Sequence, residues 1–210
     1  MKKEELIQRS YDALFDTNEE QEGLVIGRPI VFNSRTDLGF FDEVIEVGAL
    51  DGADLNDVRF CLNHDTSFVY ARSRRNNANN TMQLNVDQQG MEIKALLDVE
   101  SSPKAQDLYA AIKRGDLDKM SFMFSIEDER WEDLDSDHPT RHIQKIGSVV
   151  EVSAVTFPAY ESTSIDARSK EALERARSAV ETARQQSEET KSVETDLNLA
   201  KAKYDFKSKF

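Results

Sequence analysis

The chain has 210 residues and a formal net charge of −13 at pH 7, with 39% hydrophobic and 32% charged residues. This length suffices for one domain with a hydrophobic core and an appendage. The negative charge argues against non-specific binding to nucleic acid or anionic membranes, and no apolar run approaches the roughly 18 residues of a membrane span. A single cysteine, Cys61, excludes an internal disulfide and a cysteine-based zinc cluster. We expect an acidic, soluble protein without a secretion signal.

The first 23 residues are polar and predict an extension outside the main core. Residues 4–15 suit a short helix, and residues 17–23 form a polar linker. We therefore expect an N-terminal helix and linker over residues 1–23 and a folded domain over residues 24–167.

Within that domain, apolar and polar side chains alternate with a period of two, which is typical of half-buried strands. The pair Ser102-Pro103 and the later Gly115 predict a helix between them. We also expect an acidic loop over 128–137 and a break at Gly147 in the last strand. The predicted strands lie at 24–32, 58–64, 82–86, 91–97, 120–126 and 143–157, with a hairpin turn at 87–90. The pattern predicts a mixed β/α fold class, with a largely antiparallel β domain and at least one packed helix.

The C-terminal segment, residues 168–210, differs in composition from the rest. It holds ten basic and eight acidic residues and neither glycine nor proline. Leu173, Ala176, Val180 and Ala183 follow heptad spacing, but this apolar seam then fades into polar positions. The segment predicts a polar helix, or a helix followed by a disordered end. It is either a solvated appendage or a partner for another helix.

Three polar residues in apolar strands need partners. His64 lies at the end of a predicted strand, on the face set by Val58 and Phe60. Ser121 lies between bulky apolar residues, and Glu151 lies on a strand whose two faces are both apolar. A buried carboxylate is costly without a partner. Each of them also has a structural explanation when taken singly: a satisfied core histidine, a serine bonded to backbone, and a glutamate paired with an arginine or with backbone donors.

Taken together, the same three residues allow a catalytic interpretation. A carboxylate at Glu151 could hold His64 in one tautomer, which leaves the second ring nitrogen free to accept the proton of Ser121. Their order along the chain differs from the familiar triads, but the roles depend on geometry rather than on sequence order. The sequence therefore offers His64, Ser121 and Glu151 as candidate catalytic residues.

Other chemistries have weaker support in the sequence. Cys61 and His64 lie three positions apart, so on a strand they point to opposite faces and do not form a thiol dyad. The segment His138–His142 lies beside acidic residues at 133–137 and could hold a divalent cation. Because the spacing matches no calcium loop, a solvated loop is favoured. The sequence contains no glycine-rich phosphate loop and no H-E-x-x-H motif, and we expect neither a metal nor a cofactor.

Five stretches, in order, resemble the prohead (capsid-maturation) proteases of tailed bacteriophages, a family similar in fold to the herpesvirus assemblin proteases. The resemblance covers about residues 24–167 and implies a β-barrel-like domain with packed helices. The stretches are IVFNS (30–34), FDEVIEVGAL (41–50), NHD (63–65), MSFMF (120–124) and EVSAVTFPAY (151–160).

By this resemblance, His64 is the general base, Ser121 is the nucleophile and Glu151 is the third member that orients His64. The herpesvirus relatives use a second histidine in the third role, which keeps His142 open as a substitute. They also use an arginine-containing loop for the oxyanion, whereas the corresponding stretch here contains no arginine. Backbone N–H groups, such as that of Ala159, are then the candidates for the oxyanion hole.

The resemblance implies a serine endopeptidase that cleaves capsid and scaffold protein, and also itself, inside the assembling prohead in the host bacterial cytoplasm. The implied partners are the major capsid protein and its scaffold segment, together with further copies of the chain, and neither nucleic acid nor a membrane. The extension and the tail would be scaffold-interacting or self-cleaved segments. Two other functions stay open: a non-enzymatic capsid scaffold or assembly protein that works through the tail, and an esterase-like hydrolase.

Overall fold

A computed structural model describes the backbone of residues 6–12, 15–17, 21–156 and 167–207. The elements in these residues are, in chain order, β1 (Leu6–Asp12), β2 (Asp16–Thr17), β3 (Leu24–Val31), β4 (Arg35–Asp37), β5 (Asp42–Ile45), β6 (Asp57–Leu62), β7 (Ala71–Arg74), β8 (Met82–Asp87), β9 (Gly90–Leu96), α1 (Pro103–Lys113), β10 (Lys119–Glu132), β11 (Thr140–Val155) and α2 (Ala167–Lys207).

The described strands form two sheets. The larger sheet has seven strands in the order β1-β10-β11-β5-β4, with β6 also paired to β11 and β7 to β6. The smaller sheet has four strands in the order β2-β3-β9-β8. The named strands pair antiparallel, except that β11 pairs in parallel with β5 and with β6. The prediction of a mixed, largely antiparallel β domain with helices is confirmed, while the described strands do not close into a barrel.

One apolar core joins the two sheets and α1. Its buried side chains belong to a single cluster that includes Ile30, Ile93, Leu108, Phe122 and Val152. On β10, Phe122 and Phe124 are fully buried, with ring centroids 4.7 Å apart. Because side chains alternate along a strand, Ser121 faces the other side of the sheet. The predicted alternation on β10 is confirmed, and it separates the serine from the aromatic layer.

Local signals in the middle of the chain are also confirmed. The predicted hairpin turn at residues 87–90 joins β8 to β9. Helix α1 begins after the N-cap Ser102, with Pro103 in its first turn. Gly115 follows the end of the helix with a φ of 77°, in the left-handed region that glycine adopts without strain.

The acidic segment that we expected as a loop over 128–137 is partly a strand, because β10 continues to Glu132. Its charges do not prevent pairing, since basic residues of β11 face them. Arg141 Nε, for example, donates a hydrogen bond to Glu129 Oε2 at 2.8 Å. Backbone pairing with β11, together with these ion pairs, extends the strand beyond the point where the apolar pattern ends.

Gly147 bends β11 without breaking it. Ser125 pairs with Ser148 and Ile126 pairs with Ile146, so Gly147 is the additional residue of a β-bulge. A Cβ atom at this glycine would lie 2.8 Å from Ser125 Oγ. The close approach of the two strands therefore explains why a glycine occurs here, and the predicted break is replaced by an irregularity within one continuous strand.

Residues 6–12 form strand β1, so the predicted N-terminal helix is wrong here. β1 pairs with β10 from Leu6 opposite Ser125 to Asp12 opposite Lys119. This pairing satisfies backbone groups along one edge of β10, which a helix in the same place would leave without strand partners. β1 is part of the larger sheet, while the division of the chain into extension, domain and tail stays a prediction.

Helix α2 confirms the polar helix predicted for the tail. The helix also contacts the sheet, because Val180 is only 5% exposed and clusters with Leu38 and Phe41, against which Trp131 packs. Arg184, one turn later, donates hydrogen bonds to two backbone carbonyls of the β10–β11 loop at 2.7 and 3.0 Å. Among the described residues, neither helix combines the length and apolar character that crossing a bilayer requires.

The substitution Val180→Asp should detach α2 from this contact, because it places a charge among apolar side chains. The fluorescence of Trp131 should then shift to longer wavelength, since the ring loses packing around Phe41, whose centroid lies 5.0 Å away. Val193→Asp is the matched control, because Val193 is on the same helix and 68% exposed. Identical emission spectra for both variants and the wild type would contradict the contact.

Candidate active site

The turn after β6 positions His64. Asn63 and His64 have φ angles of 51° and 60°, in the left-handed region, where a residue with a side chain costs roughly 1–3 kcal/mol. Hydrogen bonds of Asn63 hold the turn in place: its N–H donates to the Ala154 carbonyl at 2.9 Å, and its Oδ1 accepts from the Thr156 N–H at 2.9 Å. The turn is thereby tied to β11, the strand that carries Glu151.

The structure brings the three candidate residues together. His64 Nδ1 lies 2.7 Å from Glu151 Oε2, and His64 Nε2 lies 2.7 Å from Ser121 Oγ. Ser121 is on β10 and Glu151 is on β11, and the pairing of these neighbouring strands sets their spacing. Ser121 and Glu151 are 0% and 1% exposed, while the His64 side chain is 16% exposed. The imidazole therefore bridges a buried hydroxyl and a buried carboxylate.

Ser153 is a member of the site that the sequence analysis missed. Its hydroxyl donates a short hydrogen bond to Glu151 Oε1 and accepts a hydrogen bond from the His64 N–H at 3.0 Å. Ser153 lies two positions after Glu151 on β11, so the two side chains share one face of the strand. This spacing of a second polar residue on an apolar strand is the signal that could have identified it.

These contacts determine where the protons lie on the His64 ring. An ionised carboxylate only accepts hydrogen bonds, so Nδ1 donates to Glu151. In the neutral ring, Nε2 then has no proton and can accept one from Ser121. The arrangement can thus withdraw a proton from a hydroxyl and stabilise the resulting imidazolium. The stretch around Ala159, where we looked for oxyanion donors, lies outside the described residues.

Strand β1 covers Ser121. Ser10 lies opposite Ser121 in the pairing with β10, and Ser121 Oγ donates to the Arg9 carbonyl oxygen at 2.8 Å. The single hydroxyl proton therefore has two acceptors, this carbonyl oxygen and His64 Nε2. The sequence analysis placed Arg9 in an extension and missed the contact, because no local pattern tells which segment pairs with the edge of β10.

A cleft of about 450 Å³ lies beside the His64 turn. Its lining includes Leu62 at the end of β6, Asn63 in the following turn, the rings of Phe68 and Tyr70, and Leu108 from α1. Aromatic and aliphatic walls with a few polar groups are typical of ligand sites. Asn63 and Asp65, the two neighbours of His64 in sequence, both line the cleft, whereas His64 does not.

The thiol of Cys61 is not in a reactive environment. It is fully buried, and burial, together with the charge of Glu151, raises the pKa of its thiol to about 12. The thiolate is the reactive form of cysteine, so almost none is present at neutral pH. The structure thus gives the thiol dyad no chemical support.

His142 lies outside this arrangement. Its Nε2 is 2.9 Å from Glu132 Oε2 and its Nδ1 is 3.1 Å from Glu46 Oε1. Both ring nitrogens therefore face other carboxylates. The structure places Glu151, rather than His142, at Nδ1 of His64.

The cation site considered around 133–142 has a different composition in the structure. His138 Nε2 lies 3.1 Å from Asp42 Oδ1, and within the described part of the chain the ligand atoms of Asp37, Asp42 and His138 lie within 4.8 Å of one another. Burial raises the pKa of Asp42, but hydrogen bonds from Arg35 and His138 outweigh this effect and lower it. These contacts account for the cluster without an ion.

A comparison with protein families identifies the chain. The family model described as caudovirus prohead serine protease matches residues 9–177. Since this is more than half of the chain, the chain belongs to that family. No match was found among curated proteins or among solved structures. The predictions of the family and of a serine protease of phage prohead maturation are confirmed, with capsid proteins as substrates inside the assembling prohead.

The burial of Cys61 can be tested with a thiol reagent, because the chain has a single cysteine. With its pKa raised to about 12 from its usual value near 9, the folded protein should react with Ellman's reagent at least about 1,000-fold more slowly than the unfolded chain at neutral pH. The rate should rise about tenfold per pH unit, because the thiolate fraction does. Equal rates for the folded chain and for the chain in denaturant would contradict the burial of β6.

Proposed function

We propose that this chain, as a member of the caudovirus prohead serine protease family, cleaves the capsid protein and its scaffold segment through Ser121, His64 and Glu151. The observation that carries the proposal is the series of two 2.7 Å contacts from Glu151 through His64 to Ser121. A carboxylate, an imidazole and a hydroxyl in this order are the groups that activate a serine nucleophile.

In the proposed reaction, Ser121 Oγ attacks the carbonyl carbon of the scissile bond while His64 Nε2 takes the hydroxyl proton. His64 then gives this proton to the leaving nitrogen, the C–N bond breaks and an ester forms on Ser121. A water molecule, deprotonated by His64, hydrolyses the ester and restores the serine. The net change is the addition of one water molecule across a peptide bond.

Glu151 acts through His64 and is therefore a positioning residue. Its carboxylate stabilises the imidazolium that forms when Ser121 loses its proton. Because Glu151 is 1% exposed, water screens this interaction weakly. The hydroxyl of Ser153 holds the other carboxylate oxygen, which supports the orientation of Glu151 toward the ring.

Three finer expectations belong to the same proposal: a fold like that of the herpesvirus assemblin proteases, association of copies of the chain within the prohead, and self-cleavage. The order of histidine, serine and third member along the chain supports the first. Enclosure in one shell supports the other two, because it raises the effective concentration of enzyme and substrate. A slow catalyst would suffice under these conditions.

Replacement of Ser121 by alanine tests the nucleophile. Co-expression with the capsid protein of the same phage should yield full-length capsid protein, because turnover falls by a factor of about 10⁴ to 10⁶. Intact-mass measurement of both proteins provides the readout. Ser125→Ala is the matched control, since Ser125 is on the same strand, is buried and bonds to Ser148 instead of to His64.

The outcome separates the three functions left open by the sequence. Processing that stops with Ser121→Ala and continues with Ser125→Ala supports the protease. Processing that continues with both variants contradicts it and favours a non-enzymatic scaffold protein. Turnover of small esters, lost with Ser121→Ala, without any cleavage of capsid protein would favour an esterase-like hydrolase.

The roles of Glu151 and Ser153 can be separated by their effects on kcat and KM. Glu151→Gln keeps the size of the side chain but removes the charge, so kcat for a peptide substrate should fall about 10⁴-fold with little change in KM. Ser153→Ala removes one hydrogen bond to the carboxylate, and we expect kcat to fall roughly tenfold. A larger loss of kcat for Ser153→Ala than for Glu151→Gln would contradict the proposal that Ser153 supports Glu151 and that Glu151 orients His64.

A further inference from the structure

Ser121 is closed off from solvent in this structure. Its exposed fraction is zero, and β1 lies along the β10 edge that carries it. β1 is the terminal strand of its sheet, paired on the described side with β10 alone. Displacement of β1 would open this edge of β10, and with it a route to the hydroxyl.

β1 occupies this place in the manner of a bound peptide. It is extended and antiparallel to β10, which is how peptides bind when they add a strand to a sheet edge. The backbone carbonyl of Arg9 accepts the hydrogen bond of Ser121 Oγ at 2.8 Å. Among the described carbonyl groups of β1, that of Arg9 thus takes the position of a carbonyl presented to the nucleophile.

The side chain of Arg9 lies in a buried acidic pocket. Its Nη2 donates to Glu43 Oε2 at 2.9 Å, and its Nε donates a short hydrogen bond to Glu43 Oε1. The two side chains are 5% and 0% exposed. This two-point contact fits the planar guanidinium group and does not fit an ammonium or an amide equally well.

The pocket carries an excess negative charge when Arg9 is taken away. A second basic residue, Arg141, lies beside Glu43, with Nη1 3.6 Å from Oε2, but it also pairs with Glu129. Arg9 and Arg141 balance the two carboxylates, so Arg141 alone leaves one charge uncompensated. A buried carboxylate without a partner is costly, so the vacated pocket should select a cationic side chain.

We propose that β1 occupies the channel in which Ser121 receives its substrate, and that Glu43 selects a substrate strand with arginine at the residue whose carbonyl is attacked. This inference rests on the proposed function, because it takes Ser121 as the nucleophile. The substrate strand displaces β1, pairs with the edge of β10 and places its arginine against Glu43. Cleavage then breaks the bond after that arginine, and one water molecule is consumed.

Synthetic peptides test the selection on the unmodified full-length chain. A peptide with the sequence of residues 4–15 contains the β1 segment, and a twin carries glutamine in place of its arginine. We expect cleavage after the arginine, with kcat/KM at least about 100-fold higher for the arginine peptide, because its twin leaves Glu43 unpaired. Equal cleavage of the two peptides would overturn the proposal.

Substitution of Glu43 tests the residue itself. Glu43→Gln should reduce the preference for the arginine peptide at least about tenfold, since the charge that selects it is lost. Glu46→Gln is the matched control, because Glu46 is nearby in sequence, is partly exposed and pairs with Arg130. If Glu43→Gln kept the full preference for the arginine peptide over its glutamine twin, another group would select the arginine and the proposed role of Glu43 would be contradicted. The peptide comparison on the wild type needs no variant, so it decides the matter even if Glu43→Gln does not fold.

Labelling of Ser121 by a fluorophosphonate separates this proposal from the proposed function, because the reagent tests serine activation independently of substrate sequence. A chain that is labelled at Ser121 but does not cut the arginine peptide overturns the inference and leaves the nucleophile intact. A chain that is neither labelled nor able to process capsid protein contradicts the proposed function itself. Loss of both labelling and cleavage in Ser121→Ala is the expected control result.

The covering role of β1 has its own readout. Arg9→Gln weakens the hold on β1, so the rate of fluorophosphonate labelling should rise several-fold. Arg28→Gln is the matched control, since Arg28 forms a two-point ion pair with Asp87 away from the site. Slower or unchanged labelling in Arg9→Gln, with the emission of Trp131 unaltered, would contradict the covering role.

Discussion

The negative charge of Glu151 is the constraint around which the site is built. It lies on β11, paired with strands on both sides, where water cannot solvate it. His64 and Ser153 provide its hydrogen bonds, and the strained turn at Asn63 brings the imidazole within reach. Satisfying one buried carboxylate thus fixes the tautomer of the imidazole, and the imidazole in turn faces a serine on the next strand. The contacts that stabilise the buried carboxylate therefore also bring the imidazole to the serine hydroxyl, which is the arrangement that the proposed reaction needs.

Much of the architecture follows from local patterns. Alternation along β10 separates Ser121 from the phenylalanine layer, and the serine, proline and glycine signals delimit α1. The three candidate residues could be identified because each is polar within an apolar strand pattern. A buried polar group needs a hydrogen-bond partner, so each of them predicted a contact. Local patterns did not predict the extent of a strand where pairing with a neighbouring strand determines it. β10 extends through Glu132 although its residues there are charged, because β11 provides both backbone partners and a basic side chain, that of Arg141 against Glu129.

The features that the sequence did not reveal depend on contacts between distant segments. The strand β1 is short and mixed in character, and its structure is decided by the open edge of β10 more than by its own residues. Arg9 and Glu43 are 34 positions apart, and each alone resembles an ordinary surface residue. Ser153 bonds to Glu151 only because a strand places alternate residues on one face. Such pairs become visible when the sheet order is known, since sequence spacing does not determine which strands meet.

β10 uses its two edges for different purposes. One edge pairs with β11 and sets the distance between Ser121 and Glu151, whereas the other pairs with β1, which covers Ser121. Opening the second edge breaks the buried pair of Arg9 and Glu43, and breaking such a pair costs about 3–5 kcal/mol when one charge stays buried alone. An incoming arginine restores that pair, while a neutral residue does not. In this proposal, the ion pair that holds β1 over Ser121 also determines which substrate strand can replace β1. Closure of the site and selection of the substrate then depend on the same carboxylate, that of Glu43.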